Sequence, residues 1–285
     1  MRIGTLNTDR GPRAVALQDG ALVELEGTVE SLLAGGTEAI RRALEAATTR
    51  HPLEASRLLP AVAGPGKILC VGRNYADHAA ELGNVAPSAH PEIFMRARSS
   101  LLPPFAPVRR PRVSAQLDFE VELAVVIGRP GRYIQPGQAM DHVGGYAAFN
   151  DFSIRDYQNF GSQWIPGKNF DGSGPLGPYV VTPDEAGNPF DLDISLTIVT
   201  ADGREERMQA SNTSLMVHRI PDVIAFCSEW TTLEPGDVIA TGTPGGVGFG
   251  RHPYRWLEPG ETVLTTVEGV GTLKNQVLEE ATARS

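Results

Sequence analysis

Residues 117–128, LDFEVELAVVIG, place Asp118, Glu120 and Glu122 at every second position of an apolar, β-branched run. Side chains alternate faces along a strand, so this spacing puts the three carboxylates on one side and Phe119, Val121 and Leu123 on the other. A sheet with one wet face would explain such a pattern without any ligand. Three features argue for chemistry instead. The run continues into Ala124–Ile127, which reads as buried on both faces; no lysine interleaves the acids; and Asp151 follows in AAFNDFSIRD. Carboxylates gathered in a buried setting repel one another unless a cation lies between them. An all-oxygen set with no histidine or cysteine nearby suits Mg²⁺, Mn²⁺ or Ca²⁺, with the remaining positions left to water or a chelating substrate.

VGRNYADHAAELG, residues 71–83, places His78 and Glu81 three apart on a short helical stretch, where a carboxylate can orient an imidazole as a general base. A surface histidine on a solvated helix is the plainer alternative. GKNFDGSGPLGP, residues 167–178, carries Lys168 among glycine and proline turns, either a cation held over a pocket or a solvated loop lysine. TGTPGGVGFG, residues 241–250, lacks the GxGxxG and GK[ST] spacings of nucleotide cradles. Its backbone N–H groups and Thr243 could still grip a carboxylate or another anion, although glycine-rich turns need no ligand.

The elements that must position these residues read as mainly β. Gly (31) and Pro (22) are abundant enough to favour short strands and turns over long helices. Strands are expected at 13–17, 21–25, 193–200, 238–241 and 262–267, with helices at about 37–49 and 221–230. Pro60 and AGPGK at 63–67 mark a boundary between a small N-terminal α/β domain, residues 1–62, and a larger domain, residues 63–285. A net charge of −9 with scattered basic residues argues against a nucleic-acid partner. No apolar run reaches the roughly 20 residues that span a bilayer, and MRIGTLNTDR has no signal-peptide core, so a cytoplasmic, membrane-free protein is expected. Cys70 and Cys227 stand far apart without a CxxC and read as buried thiols.

In order, GRNYADH, FEVELAVVIG, NDFSIRDYQ, GKNFDGSGPLGP and IATGTPGGVG resemble the fumarylacetoacetate hydrolase family over about residues 66–277. The resemblance implies a mixed β-sandwich roll with a small N-terminal domain, assembled as a homodimer. It implies metal ligands at Glu120, Glu122 and Asp151, holding Mg²⁺ or Mn²⁺, with Ca²⁺ an option in a crystal; Asp118 shares their strand face but is no ligand in the pattern. The family's His-Glu dyad, carried on a lid helix, maps onto His78 and Glu81, its lysine onto Lys168 and its glutamine onto Gln158. Arg73, Asn74, Arg155 and Thr243 correspond to substrate contacts.

The implied substrates are β-dicarbonyl acids that chelate the metal and react through an enolate. The expectation is hydrolysis of a C–C bond in an acylpyruvate- or fumarylpyruvate-like acid from aromatic or sugar-acid catabolism, with water activated by His78 and Glu81 and the oxyanion supported by Lys168 and Gln158. An oxaloacetate-type decarboxylase and a 2-oxo acid isomerase or tautomerase are the alternatives, since all share the enolate; a non-catalytic metal-binding β protein is the remote one. Phe160, Trp164, Arg251, His252, Tyr254 and Arg255 are expected near the substrate's far end, the arginines suiting a second carboxylate.

Overall fold

The computed structural model describes residues 1–81, 83 and 88–281. Four strands open the chain: β1 (Arg2–Thr8), β2 (Gly11–Gln18), β3 (Ala21–Glu24) and, beyond helices α1 (Val29–Ala34) and α2 (Gly36–Ala46), β4 (Arg50–Pro52). The middle of the chain supplies β5 (Ile68–Gly72), α3 (Ala76–Glu81), β6 (Glu92–Arg96), β7 (Leu101–Leu102), β8 (Val108–Arg110), β9 (Leu117–Asp118), β10 (Val121–Ile127) and β11 (Val143–Asn150). It continues through β12 (Ser153–Ile154), α4 (Arg155–Gln158), α5 (Ile165–Lys168), β13 (Gly174–Val181), α6 (Pro183–Ala186), β14 (Asp193–Val199) and β15 (Glu205–Asn212). Helix α7 (Ile220–Trp230), β16 (Val238–Ala240), β17 (Thr262–Val267) and β18 (Gly271–Glu279) complete it.

Two large mixed sheets carry the molecule. One runs β4-β3-β2-β1-β13-β11-β10-β16-β5-β6, with β7 paired to β13; the other runs β15-β14-β17-β18-β8. The N-terminal strands continue the first sheet through β1, which pairs antiparallel with β13 at Arg2↔Val181 and Ile3↔Val180. Strand β10 lies inside that sheet and is buried along its whole length. Val121, Leu123, Val125 and Ile127 pack toward the second sheet with Ile194, Leu196, Ile198, Val263 and Leu273. Ala124 and Val126 face the other way, into a core shared with Ile3, Val29, Leu32, Leu33 and Ile40 of the N-terminal unit. Burial on both faces is why the run has no polar alternation beyond Glu122.

Several elements differ from the sequence reading. The opening strand β1 and the short helix α1 have no clear signal; α1 is set by Thr28, whose hydroxyl accepts from the Ser31 N–H in a reciprocal cap. Helix α2 stops at Ala46, before the Thr48-Thr49 pair. The carboxylate run is not one strand, because pairing lapses at Phe119 and Glu120 between β9 and β10. Side-chain amides replace the missing ladder there. The Glu120 N–H donates to Asn150 Oδ1 at 2.9 Å and the Val121 N–H to Gln209 Oε1 at 3.0 Å. Every buried backbone donor must find a partner, and here the partners come from two other strands.

Candidate active site

The solvent-face reading of the acids is overturned: Asp118, Glu120, Glu122 and Asp151 are all buried, at most 4% exposed. Antiparallel pairing of β10 with β11 sets Val121 opposite Asn150, and the Asp151 N–H donates to the Glu120 carbonyl at 2.9 Å. That register carries the Asp151 carboxylate beside those of Glu120 and Glu122. One carboxylate oxygen from each of the three lies within 4.8 Å of the others.

Three buried cations face these acids. Lys168, from α5, donates to Glu120 Oε2 at 2.8 Å and to Asp151 Oδ2 at 2.7 Å. Arg155, from α4, donates from Nε to Asp118 Oδ2 at 2.7 Å, and its Nη2 stands 2.7 Å from Glu120 Oε1. Arg96, from β6, pairs with Asp151 and lies over the Phe149 ring at 5.8 Å. Four carboxylates against three cations leave one negative charge in a buried cluster. The surplus sits on Glu122, which among the described residues makes no ion pair and accepts only the Gly242 N–H at 2.9 Å. Burial, followed by repulsion from Asp151 and Glu120, pushes the Glu122 carboxyl well above the usual carboxylate range. Glu120 goes the other way. Burial would raise it, but the Lys168 and Arg155 charges outweigh that and hold it down at about 2. Burial also favours a neutral Lys168 amine, yet Asp151 and Glu120 keep it above the ordinary lysine range, so it serves as an ammonium donor and not as a base.

These features fit a divalent cation. The donor set is oxygen only, and among the described residues one carboxylate lacks a counter-charge and the buried Tyr75 hydroxyl, close enough to Glu122 to feel its charge, has no hydrogen-bond partner.

The glycine-rich segment at 241–250 is an anion grip, and the anions are the protein's own. Its N–H groups hold Glu122 (from Gly242), Glu81 (from Gly246, 2.6 Å) and Asp118 (from Gly248, 2.8 Å, and Phe249, 2.9 Å). Gly242 has φ +96°, and a Cβ there would meet the Asn74 Cβ at 2.7 Å, so both its conformation and its crowding call for glycine.

A cavity of about 40 Å³ opens over the carboxylates. Its walls include Arg73, His78, Phe94, Arg155, Gln158, Trp164, Lys168 and Thr243. His78 is buried on α3, with Glu81 Oε2 3.7 Å from its Nδ1, too long for a hydrogen bond, so among the described residues that nitrogen has no partner. Gln158 accepts from Arg155 Nη1 at 2.9 Å. Thr243 Oγ1 accepts from Gln209 at 2.8 Å. Arg73, at φ +52°, pairs with Glu92 and lies 5.6 Å from the Trp164 ring. Asn74 stands behind the wall. Its side chain ties the backbone at His218 and Thr241 together and does not line the cavity.

The expectation for the 249–256 loop needs correction. Arg251 donates to the Met208 and Gly246 carbonyls, and Arg255 pairs with Glu261 and Glu206, so both guanidiniums are occupied away from the cavity. Tyr254 stacks on Phe249 with centroids 5.4 Å apart, His252 leans on Tyr254, and Phe160 projects outward; of that group only Trp164 lines the site. Arg96, Asn150 and Gln209 went unnoticed in the sequence. Their signal is spatial, since each acts on a segment distant in the chain: Arg96 on Asp151, Asn150 on the Glu120 N–H, and Gln209 on the Val121 N–H and Thr243.

Residues 67–278 match the model of the fumarylacetoacetate (FAA) hydrolase C-terminal domain. The chain belongs to the fumarylacetoacetate hydrolase family. It is 41% identical over 241 residues to a protein of Bos taurus named oxaloacetate tautomerase FAHD2B, mitochondrial, covering 84% of this chain and 75% of that one. To the 2,4-didehydro-3-deoxy-L-rhamnonate hydrolase of Sphingomonas sp. (strain SKA58) it is 40% identical over 265 residues, 92% of this chain and 90% of the relative. The solved structure of a 5-carboxymethyl-2-hydroxymuconate delta-isomerase from Mycobacterium smegmatis superposes with a TM-score of 0.80 at 34% identity, covering 98% of this chain and 100% of that one. The family's two-sheet fold is therefore this chain's fold, and its members include hydrolases, tautomerases and isomerases. Among the described residues no helix is long and apolar enough to cross a membrane.

Proposed function

We propose that this chain is a divalent-cation-dependent enzyme that interconverts the keto and enol forms of a small 2-oxo acid of the oxaloacetate type. The observation that carries the reading is the small cavity whose floor is Glu120, Glu122 and Asp151 and whose walls bring His78 and Lys168. What favours a compact acid over a long ring-cleavage product is the 41% identity to a relative named oxaloacetate tautomerase. Bound Mg²⁺ or Mn²⁺ would act as a Lewis acid toward a 2-oxo acid and favour its enolate.

The chain's own groups supply the proton chemistry. His78 lines the cavity and is suited to take a proton from the carbon next to the keto group through the ring nitrogen away from Glu81, while Glu81, 3.7 Å from its Nδ1, stands where it steadies the resulting imidazolium. Lys168 and Arg155 present fixed positive charge to the developing oxyanion and to the acid group. Returning the proton to oxygen completes a tautomerisation with no bond to carbon other than C–H broken.

C–C hydrolysis of an acylpyruvate is the second reading. The same His78–Glu81 pair favours it, since a water could take the place of the C–H proton donor, and so does the likeness to the rhamnonate hydrolase. Decarboxylation uses the same enolate. A homodimer is part of the proposal and is read from the molar mass in solution. The deciding experiment offers the Mn²⁺-loaded protein oxaloacetate, acetylpyruvate and fumarylpyruvate, following enol absorbance and pyruvate release. Faster loss of oxaloacetate enol without pyruvate supports the tautomerase; pyruvate from the acylpyruvates would move the assignment to hydrolase, and pyruvate from oxaloacetate to decarboxylase.

A further inference from the structure

Asp118 shares the spacing of the metal-binding acids, yet the site described above gives it no chemical role. It is fully buried, and its two oxygens take four donors. Oδ1 accepts from the N–H groups of Phe119 and Gly248, each at 2.8 Å. Oδ2 accepts from the Phe249 N–H at 2.9 Å and from Arg155 Nε at 2.7 Å. With its acceptors filled on both sides, this carboxylate has no face left for a cation.

What Asp118 holds is informative. Arg155 lines the cavity, and the rest of its guanidinium reaches two groups of the site, Glu120 through Nη2 and Gln158 through Nη1. A planar fork can serve three partners only in one orientation, and the Nε contact to Asp118 selects it. Phe249, whose N–H is gripped by the same carboxylate, lays its ring 5.9 Å from the Arg155 carbon and so closes the opposite side. The loop is shaped to allow this approach: a Cβ at Gly248 would meet the Arg255 carbonyl at 2.0 Å and Asp118 Oδ1 at 2.6 Å.

We propose that Asp118 is a positioning residue that acts through Arg155, fixing its guanidinium against Glu120 and Gln158 while pinning the Gly248–Phe249 turn over it. The inference rests on the enzymatic reading above. It adds that the negative charge at 118, and not merely its volume, sets the geometry of the Arg155–Glu120 contact. When that charge is removed, Arg155 keeps only Glu120 and Gln158, is no longer held in one orientation, and competes with a cation for the Glu120 carboxylate.

The test is a double-mutant cycle of Asp118→Asn and Arg155→Ala, read twice: as kcat/KM for oxaloacetate with saturating Mn²⁺, and as Mn²⁺ affinity measured by electron paramagnetic resonance without substrate. Asp118→Asn alone is expected to lower kcat/KM at least tenfold and Mn²⁺ affinity at least fivefold. In the Arg155→Ala background it should change either by less than twofold, because a residue that acts through another loses its effect when that other is gone. Additive losses, or an Asp118→Asn protein within twofold of the parent in both readings, would overturn the inference. Should Asp118→Asn fail to fold, Arg155→Lys serves: a single ammonium cannot serve Asp118, Glu120 and Gln158 as the fork does, so a tenfold fall in kcat/KM is expected, and parental kcat/KM would overturn the proposal. Coupling in Mn²⁺ affinity without turnover of oxaloacetate would sink the substrate assignment alone. A parent protein with neither turnover nor Mn²⁺ binding would overturn both.

Discussion

Replacing Lys168 with methionine tests how the buried carboxylates tolerate one another. The ammonium donates to Glu120 at 2.8 Å and Asp151 at 2.7 Å, and all three groups are at least 96% buried. Methionine keeps most of the length and removes the charge, which changes the cluster from four acids against three cations to four against two. Removing one partner of a buried ion pair costs about 3–5 kcal/mol. At roughly 2 °C per kcal/mol for a chain of this size, the metal-free variant should melt about 6–10 °C below the parent. A divalent cation replaces the lost charge. At a hundredfold excess over its dissociation constant, a bound ion adds about 2.7 kcal/mol, so Mn²⁺ should raise the melting temperature of both proteins by roughly 5 °C or more. The gain should be larger in the variant, where no ammonium competes for Glu120 and Asp151. Differential scanning fluorimetry in EDTA and across a MnCl₂ titration measures both quantities. A metal-free variant melting within about 2 °C of the parent, or equal Mn²⁺ gains in the two proteins, would refute the electrostatic account of the site.

Two further expectations follow from packing and burial. Gly72→Ala would bring a Cβ within 2.4 Å of the Trp164 ring, displacing that ring from the cavity wall; kcat/KM should fall roughly tenfold, about 1.4 kcal/mol of transition-state stabilisation, and steady-state kinetics on oxaloacetate reads it. Burial pushes the Cys227 thiol up to about 12, and burial with the Asp151 and Glu122 charges raises Cys70 well above the ordinary thiol range, so neither forms the reactive thiolate readily near neutral pH. At pH 8 iodoacetamide should leave both unlabelled in the folded protein while urea exposes both; prompt labelling of either under native conditions would contradict the buried placement.

Much of the site was legible in the sequence because its groups sit in short contiguous motifs. The period-2 acids of FEVEL, the i,i+3 pair His78 and Glu81, and Asp151 just after an apolar strand each carry a local pattern, and the structure brings Glu120, Glu122, Asp151 and His78 to one cavity, with Glu81 beside His78. The turns before β16 and β17 and the proline at the first turn of α7 were equally local. What escaped depends on contacts distant in the chain. Nothing in EIFMR marks Arg96 as the buried partner of an aspartate 55 residues away, and the role of Gln209 is visible only when β15 lies beside Thr243. The strand break at Phe119 and Glu120 escaped for the same reason, since it is made by amides of Asn150 and Gln209. Arg251 and Arg255 misled because a sequence shows a charge but not the carbonyls and carboxylates that already hold it.

The proposed function requires that the carboxylate cluster, with His78 above it, make the enolate of a small 2-oxo acid accessible. Deuterium exchange at C3 of oxaloacetate in D₂O, read by proton NMR against a buffer blank containing the same Mn²⁺, tests that step whichever product follows. Exchange well above the blank with the parent protein, reduced to the blank in Glu120→Ala and in His78→Ala, is the predicted result. Exchange at the blank rate with the parent, or undiminished in Glu120→Ala, would contradict it.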